Sequence, residues 1–309
     1  MDAGYVLVIG SAGIDVKGKP DSPLAYGLPN PGRVRNSVGG VARNIAENLA
    51  RLEIPTVLLT AVGDDAEGER VIDACEEAGI DCDAVVVVDE ARTGTYMALL
   101  KLDGELDVAL SDFAVMDAVD PDYLMENEDL FEEAELIVID ATLRPDTLDT
   151  VFELAERYDV RVCADPTTPT LAGRLCPHIH HLFLVVPNAG ETTALCGVSV
   201  PACDRDSAIS AARQLVALGA EMAVVTVGEQ GLAYADSNGG GFIQASKIQV
   251  TDATGAGDAL SAAIIFGLLN DVAVDEAMRL GISAAALTLR SQDTVRLDLN
   301  PELLYDTLR

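Results

Sequence analysis

Short apolar runs alternate along the chain with longer segments in which apolar residues recur every three or four positions. The short runs have the length of strands, and continuous apolarity is typical of strands covered on both faces. The longer segments predict amphipathic helices. Their alternation predicts an α/β fold with a mostly parallel central sheet flanked by helices. The predicted strands are Tyr5–Ile9 and residues 56–61, 136–140, 160–164, 182–186 and 223–227, and the predicted helices are Val41–Arg51 and residues 67–78, 145–157, 191–196, 205–218 and 259–269.

Two segments interrupt this alternation. Residues 16–37 are rich in proline, glycine and polar residues, and residues 84–115 contain three short β-type runs with an Asp-Gly turn signal at 103–104. Both are expected to project from the main sheet as β-ribbons that together form a small lid. A Gly-Gly-Gly run at 239–241 predicts a hairpin turn between strands at 231–235 and 242–250. No repeat or flexible linker divides the chain, so residues 1–309 are expected to form a single domain.

The charge balance narrows the possible partners. The 309 residues include 51 acidic and 20 basic side chains, which gives a formal net charge of −31. Such a surface repels nucleic acid phosphates and anionic membranes, so neither is an expected partner. An anionic substrate must approach against this field and needs local positive potential from backbone amides and metal ions. The only lysines are Lys17, Lys19, Lys101 and Lys247, a bias typical of adaptation to high salt and also of GC-rich genomes.

The cysteines and the apolar runs indicate the cellular compartment in which the protein is expected. No two cysteines form a C-x-x-C pair, which is typical of free thiols in a reducing cytoplasm. No basic segment precedes a long apolar run at the start, and residues 259–269 are too short to span a bilayer. A cytoplasmic protein is therefore expected. Three histidines follow one cysteine at 176–181 without a recognised zinc spacing, so no metal site is expected there. The six cysteines are Cys75, Cys82, Cys163, Cys176, Cys196 and Cys203.

The strongest chemical motif is Asp-Ala-Thr-Gly-Ala-Gly-Asp at residues 252–258, which opens a long apolar helix. Gly255, Ala256 and Gly257 allow a sharp turn that exposes consecutive N–H groups at a helix N-terminus, where anionic oxygen binds. Asp258 falls in the first turn, where a carboxylate can deprotonate an attacking hydroxyl while the amides neutralise a phosphoryl group. An ordinary capped helix start explains the same spacing, and the motif alone does not choose between the two.

A second glycine motif opens the first predicted helix. Gly39 and Gly40 let a ligand approach the backbone closely, and Asn44 lies about one turn into the helix, where its amide can hold sugar hydroxyls. A tight strand–helix turn is the alternative interpretation. Asp15, just after the first strand, is a further candidate for holding two hydroxyls of a sugar.

Two common nucleotide-binding motifs are incomplete or missing. Gly10 and Gly13 follow the first strand, as in a dinucleotide-binding fold, but the third glycine and the closing acidic residue are not found. This disfavours a nicotinamide-dependent oxidoreductase. The chain also contains no G-x-x-x-x-G-K-[ST] sequence, so phosphate must be bound in another way.

Two weaker features follow later strands. Asn188 and Glu191 place an amide and a carboxylate at a strand end, where water-mediated Mg²⁺ binding and a helix cap are both open interpretations. Thr226, Gly228 and Gly231 lie in a loop that suits a nucleotide phosphate or merely a turn.

Taken together, these motifs resemble the ribokinase-like (PfkB) family of carbohydrate and nucleoside kinases over essentially the whole chain. The Gly-Gly…Asn motif at 39–44 and the motif at 252–258 occur in the right order and separation. The resemblance implies transfer of phosphate from ATP to a hydroxyl, with Mg²⁺ bridging the phosphates. It also implies lid strands, about 16–37 and 84–115 here, that often pair into a homodimer.

The resemblance implies a role for each matching residue. Asp258 would be the catalytic base, with the amides of Gly255, Ala256 and Gly257 as the anion hole. Many relatives have Asn where this chain has Gly13, so one contact to the sugar is replaced by water or missing. The other implied roles are sugar binding by Asp15, Gly39, Gly40 and Asn44, nucleotide binding by Asn188, Thr226, Gly228 and Gly231, water-mediated Mg²⁺ binding by Glu191, and a K⁺ site at Asp252 and Thr254.

Two stretches look most like bacterial pseudouridine kinases. The first runs from Asn30-Pro31-Gly32 to the Gly-Gly motif and its helix, and the second is Ala286-Leu287-Thr288-Leu289-x-Ser291-x-x-Thr294-Val295. This resemblance implies the 5′-hydroxyl of pseudouridine as acceptor. Adenosine, inosine, cytidine and ribose remain alternative acceptors, and a non-catalytic nucleoside or sugar sensor on the same fold remains an alternative of another class.

Overall fold

The computed structural model describes residues 4–197 and 204–308, in which thirteen strands form two sheets. Ten α-helices and three 3₁₀ segments connect them. The strands are β1 (Tyr5–Ile9), β2 (Gly13–Pro20), β3 (Gly32–Gly39), β4 (Thr56–Gly63), β5 (Val85–Val88), β6 (Gly94–Leu100), β7 (Leu106–Asp112), β8 (Ala134–Asp140), β9 (Arg161–Asp165), β10 (Leu182–Val185), β11 (Met222–Thr226), β12 (Gly231–Asp236) and β13 (Gly239–Gln244). The helices are α1 (Val41–Arg51), α2 (Ala66–Glu77), α3 (Pro121–Glu126), α4 (Asp129–Glu133), α5 (Pro145–Tyr158), α6 (Ala189–Cys196), α7 (Arg205–Ala217), α8 (Ala256–Leu269), α9 (Val274–Thr288) and α10 (Pro301–Asp306).

The main sheet has nine strands in the order β13-β12-β11-β10-β9-β8-β1-β4-β5. Its strands run parallel except for the antiparallel β12 and β13 at one edge. Along β1, Leu7 and Ile9 join one hydrophobic core while Val6 and Val8 join a second. Both faces of the sheet are therefore buried, as continuous apolar strands require. The predicted α/β fold with a mostly parallel sheet is confirmed.

The carboxyl ends of the central strands form the edge at which ligands bind in open α/β sheets. After β1 the chain returns through α1 to β4 on one side, whereas β8 lies on the other side of β1. This change of direction opens a crevice beside Ser11 and Asp140, which follow β1 and end β8. The side chains described below gather there.

A second sheet of four strands, in the order β3-β2-β6-β7, lies beside this edge, and we refer to it as the lid because it includes most of the segments predicted to form one. In its register Asp15 lies beside Tyr96, and Lys17 lies between Arg35 and Ala98. Because side chains alternate between the faces of a sheet, these residues share one face. The opposite face is apolar and includes Val34, Met97, Val108 and Leu110, which are 50 to 73% exposed.

Two sequence predictions about strands were wrong. Val85–Val88 was assigned to the lid but pairs with β4 at the edge of the main sheet, because its valines pack against both cores. The predicted hairpin is present between β12 and β13, but its turn lies at residues 237–238, and the glycines at 239–241, predicted to form the turn, lie in β13. A Cβ at Gly240 would come within 2.4 Å of the Tyr234 carbonyl oxygen, so glycine permits the close strand pairing. That strand also ends at Gln244, well before residue 250.

The histidine segment at 178–181 and the cysteines have the following environments in the structure. His178 lies 3.0 Å from Asp149 Oδ1 and stacks on Phe152 with ring centroids 4.4 Å apart. The five described cysteines are free thiols, whereas Cys203 lies outside the described residues. Over the described ranges, no helix is long and apolar enough to cross a membrane.

Candidate active site

Asp258 lies in the first turn of α8 and is buried. Its Oδ2 accepts a hydrogen bond of 2.7 Å from Asn44 Nδ2, although the two residues are 214 positions apart in the chain. Burial raises the pKa of Asp258 to about 7; nearby Asp15 and Asp140 add to the rise, while the Asn44 hydrogen bond opposes it. The carboxyl group can therefore exchange a proton near neutral pH.

The N-terminus of α8 offers free backbone N–H groups. Gly255 begins the helix with φ of 80°, and a Cβ there would lie 1.9 Å from the Thr294 carbonyl oxygen, so only glycine fits. Among the described residues, no side chain caps this helix. A Cβ at Gly257 would meet nothing within 4 Å, so a ligand can approach there. This favours an anion site over the ordinary capped helix start.

Asn44 is oriented by a buried charge that sequence reasoning missed. Arg43 Nη1 donates to Asn44 Oδ1 at 2.5 Å, and Arg43 forms a buried ion pair of 2.9 Å with Glu47. Because arginine can only donate, the Asn44 oxygen must face Arg43 and its NH₂ group must face Asp258. The Asp258 carboxyl therefore receives a donor from a fixed direction.

The Gly-Gly pair makes room for Asp15. A Cβ at Gly39 would lie 2.4 Å from Asp15 Oδ1, and a Cβ at Gly40, whose φ is +97°, would lie 2.4 Å from the Ser11 carbonyl oxygen. Asp15 is 5% exposed. Burial raises its pKa, and the charges of Lys17 and Arg43 partly oppose that rise. The predicted sugar-binding residues are thus brought together beside Asp258.

Asp140 joins β1, β8 and α1, and sequence reasoning did not identify it. Its Oδ2 accepts hydrogen bonds from Ser11 N at 2.8 Å, Ser11 Oγ at 2.6 Å and Ala42 N at 3.1 Å. It is fully buried. A Cβ at Gly10 would meet its carboxyl carbon at 2.5 Å, which explains this glycine. The sequence signal that could have identified Asp140 is its position at the carboxyl end of the predicted strand 136–140.

Asn188 and Glu191 form a reciprocal helix cap. Asn188 Oδ1 accepts from the backbone N–H of Glu191 at 3.0 Å, and Glu191 accepts from Asn188 N at 2.8 Å and from Asn188 Nδ2 at 2.6 Å. This is a capping box at the start of α6. The cap interpretation therefore holds, and it also fixes the Glu191 carboxylate at the carboxyl edge of the sheet.

The predicted nucleotide loop meets the same edge. A parallel bridge joins Asn188 to Thr226, and Thr226 N donates to the Pro187 carbonyl oxygen at 2.9 Å. Gly228 has φ of 56° and Gly231 has φ of 119°, and a Cβ at Gly231 would lie 2.0 Å from the Ile243 carbonyl oxygen. The structure thus places the four predicted nucleotide-binding residues together.

A cleft of about 940 Å³ separates the lid from the segment that precedes α8. Its lid wall carries four cations in a chain whose net charge is −31. Sequence reasoning expected positive potential only from amides and metal ions, and it missed these side chains. They are Lys17, Lys19, Arg33 and Arg35.

Comparison with known proteins decides the family. The family model described as pfkB family carbohydrate kinase matches residues 3–300. The chain belongs to the pfkB family. Pseudouridine kinase of Escherichia coli K12 is 30% identical to this pfkB family kinase over 96% of this chain and 94% of its own length. Guanosine-inosine kinase of Exiguobacterium acetylicum is 26% identical over 97% of this chain and 98% of its own.

A solved structure shows the same fold. Arabidopsis thaliana ribokinase, complexed with ribose and ATP, superimposes with a TM-score of 0.85 over 99% of each chain at 21% identity. The fold of this pfkB family kinase is therefore ribokinase-like. Membership of the family makes it a carbohydrate or nucleoside kinase.

The residues of this pfkB family kinase fit an Mg²⁺ ion that is bound mainly by the phosphates of ATP. Asp165, which sequence reasoning missed, lies near Asp258 and Glu191, and burial together with these charges raises its pKa well above the usual value. A cation nearby would favour the ionised form of Asp165, and carboxylate oxygens suit Mg²⁺. Within residues 4–197 and 204–308, no three acidic, histidine or cysteine side chains group as a metal site. The ion would therefore be held by ATP phosphates and water, with Asp165 and Glu191 nearby.

The oxygens assigned to K⁺ in this pfkB family kinase are already bound to a cation. Lys17 Nζ contacts Asp252 Oδ1 at 3.1 Å, Asp252 Oδ2 at 2.9 Å and Thr254 Oγ1 at 2.6 Å. Partial burial acts to raise the pKa of Asp252, but hydrogen bonds from Thr254 and Lys17 outweigh it and lower the pKa below its ordinary value. Asp252 and Thr254 therefore do not offer these oxygens to a free K⁺.

Proposed function

We propose that this pfkB family kinase transfers the γ-phosphate of ATP to the 5′-hydroxyl of pseudouridine by in-line displacement. The observation that carries the proposal is Asp258, a buried carboxyl group with a pKa of about 7. It is held by Asn44 in the first turn of an uncapped helix. A base beside an anion site is the arrangement that phosphoryl transfer to a hydroxyl needs.

In the proposed reaction, Asp258 takes the proton of the acceptor hydroxyl as that oxygen bonds to the γ-phosphorus. The bond between this phosphorus and the β,γ-bridging oxygen breaks, and ADP leaves. The N–H groups of Gly255, Ala256 and Gly257 at the start of α8 bind the equatorial oxygens of the transferring group. Asn44 keeps the Asp258 carboxylate in position through its fixed NH₂ group.

The acceptor binds at the Asp15 end of the site. Asp15 accepts two hydroxyls of the ribose, with Asn44 and the backbone at Gly39 and Gly40 as further contacts. Tyr96 lies beside Asp15 on the cleft face of the lid. Its ring is suited to stack on a base, which favours a nucleoside over a free sugar.

ATP binds on the other side of Asp258, against the loop that contains Thr226, Gly228 and Gly231. Asn188 joins this loop through the bridge to Thr226. Mg²⁺, when bound to the phosphates, supplies charge neutralisation during transfer. Glu191 would hold the water shell of this ion.

Two observations support pseudouridine as the acceptor. The first is the 30% identity with the E. coli enzyme of that name over almost the whole of both chains. The second is that both sequence stretches that resemble such kinases meet at the base of the lid. Thr294 Oγ1 donates to the Val38 carbonyl oxygen at 2.9 Å in a buried contact, next to Gly39.

The test is ADP release with ATP and Mg²⁺ across pseudouridine, uridine, cytidine, adenosine, guanosine, inosine and ribose. Turnover with pseudouridine far above the others is expected. Turnover with another member, such as guanosine or inosine, would keep the kinase and reject the acceptor. ATP binding without turnover of any acceptor would favour the sensor alternative.

We also propose a homodimer formed through the lid. Val34 and Leu110 on its outer face are 73% and 70% exposed, and such a contiguous apolar face is typical of an interface. A second copy presents the same face, so a two-fold axis can cover both. Sedimentation should give twice the mass of 32.4 kDa. Leu110→Asp should give the monomer, and a monomeric wild type would reject the proposal.

A further inference from the structure

The contact between Lys17 and the segment before α8 uses every donor of the ammonium group. Lys17 Nζ has three protons, and its acceptors are the two Asp252 carboxylate oxygens and the Thr254 hydroxyl, at 2.6 to 3.1 Å. The Lys17 side chain is 15% exposed and that of Asp252 is 29% exposed. This is a partly buried, fully paired cation and not a lysine that swings freely in the cleft.

The contact joins the two parts of the site that must act together. Lys17 lies two residues after Asp15 on β2, so one lid strand carries both side chains on the same face. Thr254 directly precedes Gly255, the residue that turns the chain into α8. Asp252 Oδ1 also accepts from Thr254 N at 2.9 Å, so the carboxylate, hydroxyl and ammonium groups hold this turn in one conformation.

A free monovalent cation cannot share these oxygens. It would need Asp252 and Thr254 as ligands while Lys17 Nζ lies within 3.1 Å of the same atoms. Two positive charges at such a separation repel strongly in a partly buried site. The strand position of Lys17 gives the ammonium group a local concentration that a dissolved ion does not match.

We propose that the Lys17 ammonium group replaces the monovalent cation that the resemblance assigns to Asp252 and Thr254, and that it positions the anion-binding turn from the lid. Lys17 is then a positioning residue, because it acts through Thr254 and Gly255. The wild-type kinase therefore needs no K⁺. This inference rests on the proposed kinase reaction for its activity readout only.

The first test replaces choline chloride by KCl at constant ionic strength. Wild-type turnover should change by less than about twofold, because the internal ammonium group is always present. Activation of tenfold or more by K⁺, roughly the size expected of a missing charge at this turn, would overturn the proposal.

The second test creates the space for an external ion with Lys17→Ala. In choline chloride this variant should lose about 100-fold in kcat/KM, and KCl or NH₄Cl should restore at least tenfold with saturation. Tetramethylammonium, which has the same charge but is too large, should not. Lys19→Ala is the control, because it removes the same charge from the same face of the lid. Lys19 forms no ion pair among the described residues, so the activity of this variant should not come to depend on K⁺ or NH₄⁺.

A third measurement does not need the acceptor. The melting temperature of Lys17→Ala should rise with KCl or NH₄Cl relative to choline chloride, as binding linkage requires, whereas that of the wild type should not. This result with no turnover of any acceptor would reject the proposed function and keep the inference.

Lys17→Met fills the same volume without charge and should lose activity without rescue. A Lys17→Ala variant that neither loses activity nor responds to cations would overturn the inference.

Discussion

The floor of the site and the lid above it hold their polar groups in different ways. On the floor, Asp140 and Asp258 are buried and accept hydrogen bonds from residues far away in the sequence. On the lid, Lys19, Arg33 and Arg35 are exposed and line an open cleft. The floor is therefore held by buried hydrogen bonds. On the lid, Arg35 donates to Gln292 Oε1 at 2.6 Å, while Lys19 and Arg33 line the cleft and form no ion pair within the described residues.

This difference has a thermodynamic consequence. The raised pKa of Asp258, about 7, means that its ionised form is disfavoured by the folded state. Between its ordinary pKa and about pH 7 the folded protein binds more protons than the unfolded chain, so this group lowers stability as the pH rises. The buried Asp258 base therefore lowers the stability of the folded protein as the pH rises. Substitutions on the floor should change activity and stability more than substitutions on the lid do.

The largest effect is expected from Asp258→Asn. Loss of the base should lower kcat by about 10³-fold, since an amide cannot accept the hydroxyl proton. The dissociation constant of ATP, measured by calorimetry, should stay within about twofold because the nucleotide contacts remain. At pH 8 the melting temperature should rise, because a buried carboxylate is replaced by a neutral group. Turnover close to that of the wild type would reject Asp258 as the base.

A large effect on stability is expected from Asp140→Asn. The substitution removes the charge that accepts from Ser11 and Ala42 and turns a donor towards other donors, so the free energy of unfolding should fall by about 3 kcal/mol. Denaturant unfolding measures this. Asp146→Asn is the matched control, because Asp146 pairs with Arg144 on the surface. It should change stability by less than about 0.5 kcal/mol, and an equal loss in both variants would contradict the assignment.

A smaller effect is expected in the pH profile. Asp258 must be ionised to act, so kcat/KM of the wild type should fall as the pH drops through about 7. The Asn44 hydrogen bond lowers the pKa of Asp258, so Asn44→Ala should move this midpoint up by about one unit. The terminal phosphate of ATP also ionises near neutral pH, so the shift between wild type and variant is the diagnostic quantity.

Asn48→Ala provides the control for that profile. Asn48 lies one turn further along α1 and donates to the Asn44 carbonyl oxygen at 2.8 Å, not to Asp258. Its loss should weaken the fold without moving the midpoint. A midpoint that stays fixed in Asn44→Ala would show that another group limits the profile.

The sequence predicted the local parts of the site and missed those that depend on distant pairing. Gly255 and Asp258 are recognisable because one short motif contains both the helix start and the carboxylate. Asp140 and Lys17 are not, since the partners that tie them to the site, Ser11 and Ala42 for Asp140 and Asp252 for Lys17, lie 98 or more residues away. The same limit applies to the fold at Val85–Val88, because four consecutive valines predict a strand but not the sheet that this strand joins.

The smallest effect is expected on the lid, at Tyr96. If its ring stacks on the base, Tyr96→Ala should raise the KM of the nucleoside about tenfold and leave kcat within twofold, because stacking is equal in the ground and transition states. Ribose, as substrate or competitive inhibitor, should bind with unchanged affinity. Tyr96→Phe keeps the ring and should behave like the wild type. Equal losses for nucleoside and ribose would mean that Tyr96 acts by holding its neighbour Asp15, and the lid would then share the preorganisation of the floor.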